Sequence, residues 1–160
     1  MNTELISRAY AAFKNDSDTI PALTLRGGNA VDSYAEPPAY DPALDAPTDE
    51  YLAHYTFWGL GYLDAASWRY YLPRLIDYSI RHIADRDTMA IEGVLWSLRP
   101  PDRVPPRLGS LTAEQEAVIV EFLELLAFNE QASAYHDFAM QILDEWWLPN
   151  ARYRDRKNSE

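Results

Sequence analysis

Three histidines are the first candidates in this chain for acid–base chemistry or metal binding. His54 follows Glu50 by four residues, so the two share one face of a predicted helix, a spacing that suits a pair of metal ligands. Two ligands do not complete a metal site, because zinc takes at least three protein side chains. We therefore interpret Glu50 and His54 as an incidental pair on a helix surface.

The other two histidines also favour structural roles. His82 lies near Asp85 and Asp87 at a predicted helix end, where a cation interacts favourably with the helix dipole and capping is expected. His136 is followed directly by Asp137, and adjacent side chains point in different directions from a helix, which argues against a proton relay. The chain has no cysteine, which excludes disulfides, thiolate catalysis and sulfur-ligated metals.

Sequence motifs for nucleophilic and phosphate chemistry are missing. The chain contains neither Gly-x-Ser-x-Gly nor Gly-Lys-Ser/Thr, and its glycine pairs at 27–28 and 59–61 are too short for a phosphate-binding loop. Carboxylates are numerous everywhere, and the pair Asp144 and Glu145 is expected to be solvated. We predict that the protein is not an enzyme and holds neither metal nor cofactor.

The charge balance restricts the class of partner. Lysine and arginine total 14 against 25 acids, a net charge of −11, which argues against binding to nucleic acid or to anionic membranes. The longest apolar stretch, residues 117–128, is interrupted by Glu121 and Glu124 and cannot span a bilayer. The first 13 residues do not resemble a signal peptide, so a cytoplasmic location is expected. A basic protein is the partner that this charge favours.

One stretch combines acids and tyrosines with a complete absence of lysine and arginine. Residues 27–68 hold seven acids and no lysine or arginine, and prolines in the same stretch reduce the entropy lost on ordering. We predict that residues 32–55 contribute to a partner-binding surface, and of the pair Trp146-Trp147 we expect Trp147 to be exposed as an anchor. The predicted partner-binding residues are Asp32, Tyr34, Glu36, Tyr40, Asp41, Asp45, Asp49, Tyr51 and Trp147. The alternative is internal neutralisation by the arginines that follow, Arg69, Arg74, Arg81 and Arg86.

Hydrophobic periodicity predicts an all-α domain of five to six helices around an aromatic core. Residues 15–47 read mostly as a long loop containing prolines and tyrosines, with a turn at Gly27-Gly28 and a possible short edge strand at 20–25. Residues 1–149 form the single predicted domain, followed by a basic polar tail at 150–160. The predicted helices span residues 3–14, 48–58, 64–83, 88–98, 112–128 and 131–148.

Two helices carry clear local signals. Pro73 lies inside the amphipathic stretch 64–83, which predicts a kink or a second helix beginning there. Thr112 and Gln115 have the spacing of a capping box and predict a helix start. Prolines at 100–106 predict an extended link between helices.

The same two places carry a family resemblance. The run Tyr70-Tyr71-Leu72-Pro73 after Trp68, and the run 111–115 (Leu-Thr-Ala-Glu-Gln) followed by Val118, occur in this order with a proline-rich link between them. This pattern resembles an uncharacterised bacterial family of small helical proteins, over about residues 51–128. The resemblance implies a small helical fold and brings no activity, ligand or catalytic residue with it.

These observations favour a non-enzymatic acidic protein-binding module. Its most specific form is a bacterial immunity protein that neutralises a basic toxin, because an acidic inhibitor gains steering and complementarity against a basic target. The alternative is a small helical enzyme or ligand-binding protein with a pocket among Tyr70, Tyr71, Trp96 and His54. A homo-oligomeric structural protein is a third interpretation. A concave pocket with convergent polar groups favours the alternative, whereas a flat acidic face with exposed aromatics favours protein binding.

Overall fold

The structure is a computed structural model that describes residues 2–154. Within this range all regular secondary structure is helical, as predicted, but there are eight α-helices rather than five to six. The 3₁₀ turns are Leu60–Tyr62, Leu108–Ser110 and Glu130–Tyr135, and Leu143–Trp147 is π-helical. The α-helices are α1 Thr3–Ala12, α2 Lys14–Ser17, α3 Leu25–Asp32, α4 Asp49–Gly59, α5 Ala65–Arg81, α6 Ala90–Ser97, α7 Ala113–Phe128 and α8 His136–Ile142.

Side-chain caps fix where several helices begin. The hydroxyl of Thr48 accepts from the Tyr51 amide at the start of α4. At α7 the predicted capping box is confirmed, since the Thr112 hydroxyl accepts from the Gln115 amide while the Gln115 side chain accepts from the Thr112 amide. These bonds satisfy amides that have no partner within the helix. The Gln115 amide group also donates to Ala12, which ties α7 to the end of α1.

Helix α3 occupies the middle of the region predicted as loop, and no strand is found at 20–25 in the described structure. Thr24 caps α3 by accepting from the Gly27 amide. The glycines that suggested a turn lie inside this helix instead. A Cβ added at Gly28 would lie 2.2 Å from the carbonyl oxygen of Gly59, so the two backbones touch where α3 crosses α4. This packing offsets the low helix propensity of glycine.

Helix α5 continues through Pro73 as one element and does not divide into two helices. Proline removes one hydrogen bond from the ladder and costs roughly 3 kcal/mol in a helix interior. The apolar face of α5 is buried on both sides of this position, at Trp68 and Tyr71 before it and at Leu75 after it. Tertiary burial of that face therefore keeps the helix continuous.

The hydrophobic core lies between α1, α5 and α7, and extends to α4, α6 and α8. It is mainly aliphatic, so the prediction of an aromatic core is wrong. Leucine, isoleucine and valine repeat at helical spacing in α5, α6 and α7, whereas many of the rings lie at the surface. Among the described residues no helix is both long enough and apolar enough to cross a membrane. The buried aromatic residues are Phe13, Tyr51, Trp68, Tyr70, Tyr71, Tyr78, Phe122 and Trp147.

The C-terminal segment predicted as one helix over 131–148 is divided into a 3₁₀ turn, α8 and the π-helical segment. Residues 151–153 then fold back, with the amide of Arg152 donating to Asp144 and that of Tyr153 to Glu145. The guanidinium of Arg154 pairs with Glu116 at 2.6 Å. The remainder of the predicted basic tail, residues 155–160, lies outside the described residues.

The contact between α3 and α4 gives a test of the fold. We expect Gly28→Ala to lower the free energy of unfolding by about 1–3 kcal/mol or more, because the new methyl group meets backbone atoms that cannot move aside. Urea denaturation measures this change. Gly61→Ala is the matched control, since a Cβ there meets nothing within 4 Å, and an equal loss in both variants would contradict the crossing.

Candidate functional site

The predicted acidic surface centres on the segment between α3 and α4, residues 33–48, which we call the acidic loop. It contains Tyr34, Glu36, Tyr40, Asp41 and Asp45, and four prolines. Its two ends are held by helices whose backbones touch at Gly28 and Gly59. The loop is therefore fixed at its base before any of its own side chains is considered.

Asp45 is fully buried and holds the acidic loop from inside. The guanidinium of Arg26 donates to both carboxylate oxygens, at 3.0 Å from Nε and 2.8 Å from Nη2. The Tyr51 hydroxyl donates at 2.7 Å, and the backbone amide of Asp41 donates at 2.9 Å. Asp45 was predicted to face a partner. That prediction is wrong, because the buried carboxylate already accepts hydrogen bonds from α3, from α4 and from the loop itself, which leaves none of its oxygens free for a partner.

Two tyrosines extend this network into the core. The hydroxyl of Tyr51 accepts from the Arg26 amide at 3.1 Å, and that of Tyr71 accepts from the Leu25 amide at 3.3 Å. Burial raises the pKa of Tyr51 far above its usual range and that of Tyr71 to about 12, so both hydroxyls stay protonated. Tyr51 is thus a buried structural residue and not the surface residue that was predicted.

The same contacts decide the charge state of Asp45. Burial alone would raise the pKa of its carboxyl, but the hydrogen bonds from Arg26, the Asp41 amide and Tyr51 outweigh burial and hold the pKa below its ordinary value. The carboxylate therefore remains charged at neutral pH and pairs with a guanidinium that is itself mostly shielded from water.

Asp49 is neutralised internally as well. Two nitrogens of Arg81 donate to its carboxylate at 2.7 and 2.8 Å, and His82 Nε2 lies 3.0 Å from the same group. The Arg81 hydrogen bonds hold the pKa of Asp49 well below its usual range. His82 ends α5 and stacks on Tyr78 with ring centroids 4.2 Å apart, so the predicted place of this histidine at a helix end is confirmed.

The outer side of the acidic loop carries acidic side chains without an ion-pair partner among the described residues. The ring of Tyr34 is fully exposed, at 101% of its reference area, and Glu36 is exposed beside it. Asp41 is half-buried and accepts from the Ala43 amide, and Tyr40 is half-buried. Within residues 2–154 neither Glu36 nor Asp41 forms an ion pair. Asp32, at the end of α3, accepts from the Tyr62 hydroxyl at 2.8 Å.

Trp147 is not the exposed ring of its pair. Only 4% of it is accessible, and its Nε1 donates to the carbonyl of Leu98 at 3.0 Å, whereas Trp146 is half-buried. Glu145 was predicted to be solvated but is buried in a two-point ion pair with Arg99. The π-helical turn shifts the register of this segment, and the helical period of 3.6 therefore misplaces both side chains.

A second feature, which the sequence analysis missed, is a groove of about 650 Å³ formed by α4, α6, the 3₁₀ turn at Leu60–Tyr62 and the proline-rich segment after α6. Of the pocket predicted from Tyr70, Tyr71, Trp96 and His54, only Trp96 lines this groove. Both tyrosines are buried in the core and His54 is exposed elsewhere on α4. Within residues 2–154 no group of three or more acids and histidines is placed to hold a metal ion. The groove is lined by Asp32, Phe57, Trp58, Gly61, Tyr62, Gly93, Trp96, Ser97, Arg99, Pro100, Pro101, Asp102, Arg103, Arg107 and Leu108.

Comparison with known families gives one match, to the model of a family of unknown function, DUF6714, over residues 1–151. The chain belongs to this family. The resemblance inferred for residues 51–128 therefore extends over nearly the whole chain. Searches of the curated proteins and of the solved structures found no match to this chain.

Membership of DUF6714 assigns no activity, so the functional argument rests on the geometry of this chain. Five of the predicted residues lie within or next to the acidic loop and are exposed or half-buried, whereas Asp45, Tyr51 and Trp147 are buried. Asp49 remains at the base of that loop, in its ion pair with Arg81. The five are Asp32, Tyr34, Glu36, Tyr40 and Asp41.

The role of Asp45 can be tested by removing its charge. We expect Asp45→Asn to lower the free energy of unfolding by about 3 kcal/mol, because Arg26 would keep its charge without a counter-ion. Chemical denaturation at neutral pH measures the change. Glu36→Gln removes an exposed acid from the same loop and should change stability by no more than about 0.5 kcal/mol. Equal effects of the two substitutions would contradict the anchoring role.

The same variant has a defined pH dependence. Because the folded-state pKa of Asp45 is lowered, its contribution to stability is present above about pH 4, where the unfolded carboxyl ionises, and disappears as the pH falls through the folded-state pKa. The stability difference between the wild type and Asp45→Asn should therefore shrink below about pH 4. Denaturation at a series of pH values tests this, and a difference that grows on acidification would refute it.

Proposed function

We propose that this protein is a non-enzymatic protein-binding module, and that the outer side of the acidic loop engages a basic protein. The observation that carries the proposal is that Tyr34 combines a left-handed backbone with a fully exposed ring. Its φ of 60° lies in the left-handed region, which glycine and asparagine tolerate and a bulky side chain does not favour.

This conformation ends α3, because the Tyr34 amide donates to the Val31 carbonyl at 3.0 Å and the Ala35 amide donates to the Ala30 carbonyl at 2.8 Å. Glycine or asparagine would form the same helix end at a lower backbone cost, and the Tyr34 side chain gains nothing within the fold. Its ring is fully exposed, so the residue contributes no buried area to offset roughly 1 kcal/mol of backbone strain. A tyrosine with both its faces and its hydroxyl in water is the type of side chain that serves as an anchor in protein interfaces. An interface that covers Tyr34 would explain why a tyrosine occupies this position.

The charges around Tyr34 indicate the sign of the partner. Glu36 and Asp41 lie close to it in the chain, and the chain as a whole carries a net charge of −11. Acids on an exposed loop steer a basic protein toward the surface and raise its association rate more than its final affinity. An acidic partner would be repelled.

The buried network beneath the loop supports the same conclusion. Asp45 holds the loop to α3 and α4 through Arg26 and Tyr51, and the prolines limit its backbone freedom. A loop that is already ordered loses little entropy on binding. In this proposal, Asp45 and Tyr51 position the surface and do not contact the partner.

The most specific form of the proposal is an immunity protein that neutralises a basic toxin. An inhibitor of a protein that acts on nucleic acid would place its carboxylates at the basic site where the target binds phosphate groups. The immunity-protein proposal is based on the acidic charge of the chain, its small size and the ordered acidic loop. It assigns no reaction to the acidic loop.

The proposal predicts separate effects for the ring and for the charges. The protein is used to recover its partner from native cells, and binding of the purified partner is then measured by calorimetry and by stopped-flow kinetics at several salt concentrations. We expect Tyr34→Asn to weaken binding by about tenfold or more while stability is unchanged or raised by up to about 1 kcal/mol. Glu36→Gln with Asp41→Asn should lower the association rate and its salt dependence.

Two control variants make the comparison specific. Glu114→Gln removes an exposed acid from α7 and Tyr153→Asn removes an exposed ring near the C-terminus, both away from the acidic loop. Neither should alter binding. An acidic partner, capture of further copies of this chain alone, or equal losses in the control and loop variants would refute the proposal. Inhibition of a nucleic-acid-cleaving partner would support the specific form.

A further inference from the structure

Three exposed aromatic rings surround the groove beside the acidic loop. Trp58 is 51% accessible, Tyr62 46% and Trp96 52%, although each ring is large enough to bury substantial area in a core. They lie on three different elements, α4, the following 3₁₀ turn and α6, and all three line the same cavity of about 650 Å³. This volume is in the range of sites for small organic ligands.

Gly93 lines the groove at the point where α6 packs on α4. A Cβ at this position would lie 3.0 Å from the Cα of Phe57, so α6 packs closely on α4 there. Trp58 follows Phe57 directly, and Trp96 lies one helical turn after Gly93. The close approach of the helices therefore positions the two indole rings around a shared space.

Arg107 lines this groove and is almost fully buried, with 3% of its area accessible. Its Nη2 donates to the carbonyls of Leu60 and Leu63. Its Nε is buried and has no hydrogen-bond partner. Among the residues that the structure describes, no carboxylate forms an ion pair with Arg107.

The nearest acid in the groove does not serve as its counter-ion. Asp102 accepts from the backbone amides of Arg103, Arg107, Leu108 and Gly109 at 2.7–2.8 Å, which occupies both of its oxygens. Arg103 adds a second guanidinium, which donates to the carbonyls of Gly61 and Leu63. Burial, together with the charge of Arg103, lowers the pKa of Arg107 to about 10, although the charges of Asp102 and Asp64 act in the opposite direction. A buried positive charge of this kind is stabilised by an anion.

We infer that the groove is a ligand site for a small aromatic anion, whose carboxylate or phosphate pairs with Arg107 and Arg103 while its ring packs on Trp58 and Trp96. A guanidinium forms two-point hydrogen bonds with either group, so the chemistry is shared by aromatic carboxylates and by mononucleotides. The arginines would repel the basic protein expected at the acidic loop. The inference is therefore independent of the proposed function.

The binding test uses two anions, each with a neutral counterpart that keeps the same ring. 2-Naphthoate is compared with 2-naphthalenemethanol, and adenosine monophosphate with adenosine, by titration calorimetry and by quenching of tryptophan fluorescence. We expect saturable binding of one molecule per chain, with at least one anion bound about tenfold more tightly than its neutral counterpart, because only the anion forms an ion pair with the guanidinium groups. The anion that binds more tightly distinguishes a carboxylate ligand from a phosphate ligand.

Groove variants then locate the site. Trp58→Leu and Trp96→Leu should each weaken anion binding by about tenfold, because a stacking surface is lost. Arg103→Gln should reduce the preference for the anion over the neutral compound. Arg107→Gln should abolish that preference, and Arg103→Gln keeps the test decisive if the Arg107 variant does not fold. Phe128→Leu, an exposed aromatic residue away from the groove, is the control and should bind as the wild type does.

Several results would overturn the inference. These are the absence of saturable binding for both anions, equal affinity for an anion and its neutral counterpart in both pairs, and groove variants that bind like the wild type. Thermal unfolding of every variant, followed by circular dichroism, confirms that a loss of binding is measured on folded protein. Loss of partner binding at the acidic loop leaves these outcomes unchanged, so failure of one proposal is distinguishable from failure of the other.

Discussion

Helices α3 and α4 touch at two glycines, Gly28 and Gly59, and both candidate surfaces depend on this contact. A single methyl group on either residue would meet backbone atoms of the other helix at less than 2.5 Å. Because the helices meet so closely, the acidic loop that joins them has fixed ends. The same contact places Asp32 at the end of α3 against Tyr62 beyond the end of α4, where one side of the groove begins.

Buried polar groups fix the conformation of the acidic loop between the two ends that the α3–α4 crossing holds. One carboxylate, that of Asp45, receives hydrogen bonds from α3, from α4 and from the acidic loop. Most side chains of the acidic loop are exposed, so the loop buries little hydrophobic area that could hold its shape. The ion pair of Asp45 and Arg26 performs this task instead. Such a pair contributes conformational specificity more than net stability, since desolvation of two charges offsets much of their attraction.

The two surfaces differ in charge although they are neighbours. The acidic loop presents Glu36 and Asp41 to solvent, whereas the groove contains Arg103 and Arg107. The net charge of the chain, −11, has the same sign as the first surface but not the sign of the second. Local electrostatics at a buried guanidinium depend on the groups within a few ångströms of it, because charges farther away are screened by solvent and salt. A strongly acidic chain can therefore hold a site for an anion.

The sequence by itself determined the features that form over a few residues. The capping box at Thr112 and Gln115 and the apolar repeats of the long helices involve contacts within one or two turns, so local pattern predicted them and the all-α class. The family model that matches residues 1–151 is likewise a property of the sequence. The acidic character of the loop was visible, since charge is a property of composition.

Only the tertiary structure decided which of those residues are available for function. Gly27-Gly28 reads as a turn until the distant Gly59 is placed against it, and Asp45 reads as a surface acid until Arg26 and Tyr51 surround it. Trp147 is buried because a π-helical turn changes the register that the usual helical period assumes. The groove joins residues from positions 32 to 108, and no local pattern encodes such a site. Each of these features depends on contacts between segments far apart in the chain, and the packing of the helices determines those contacts.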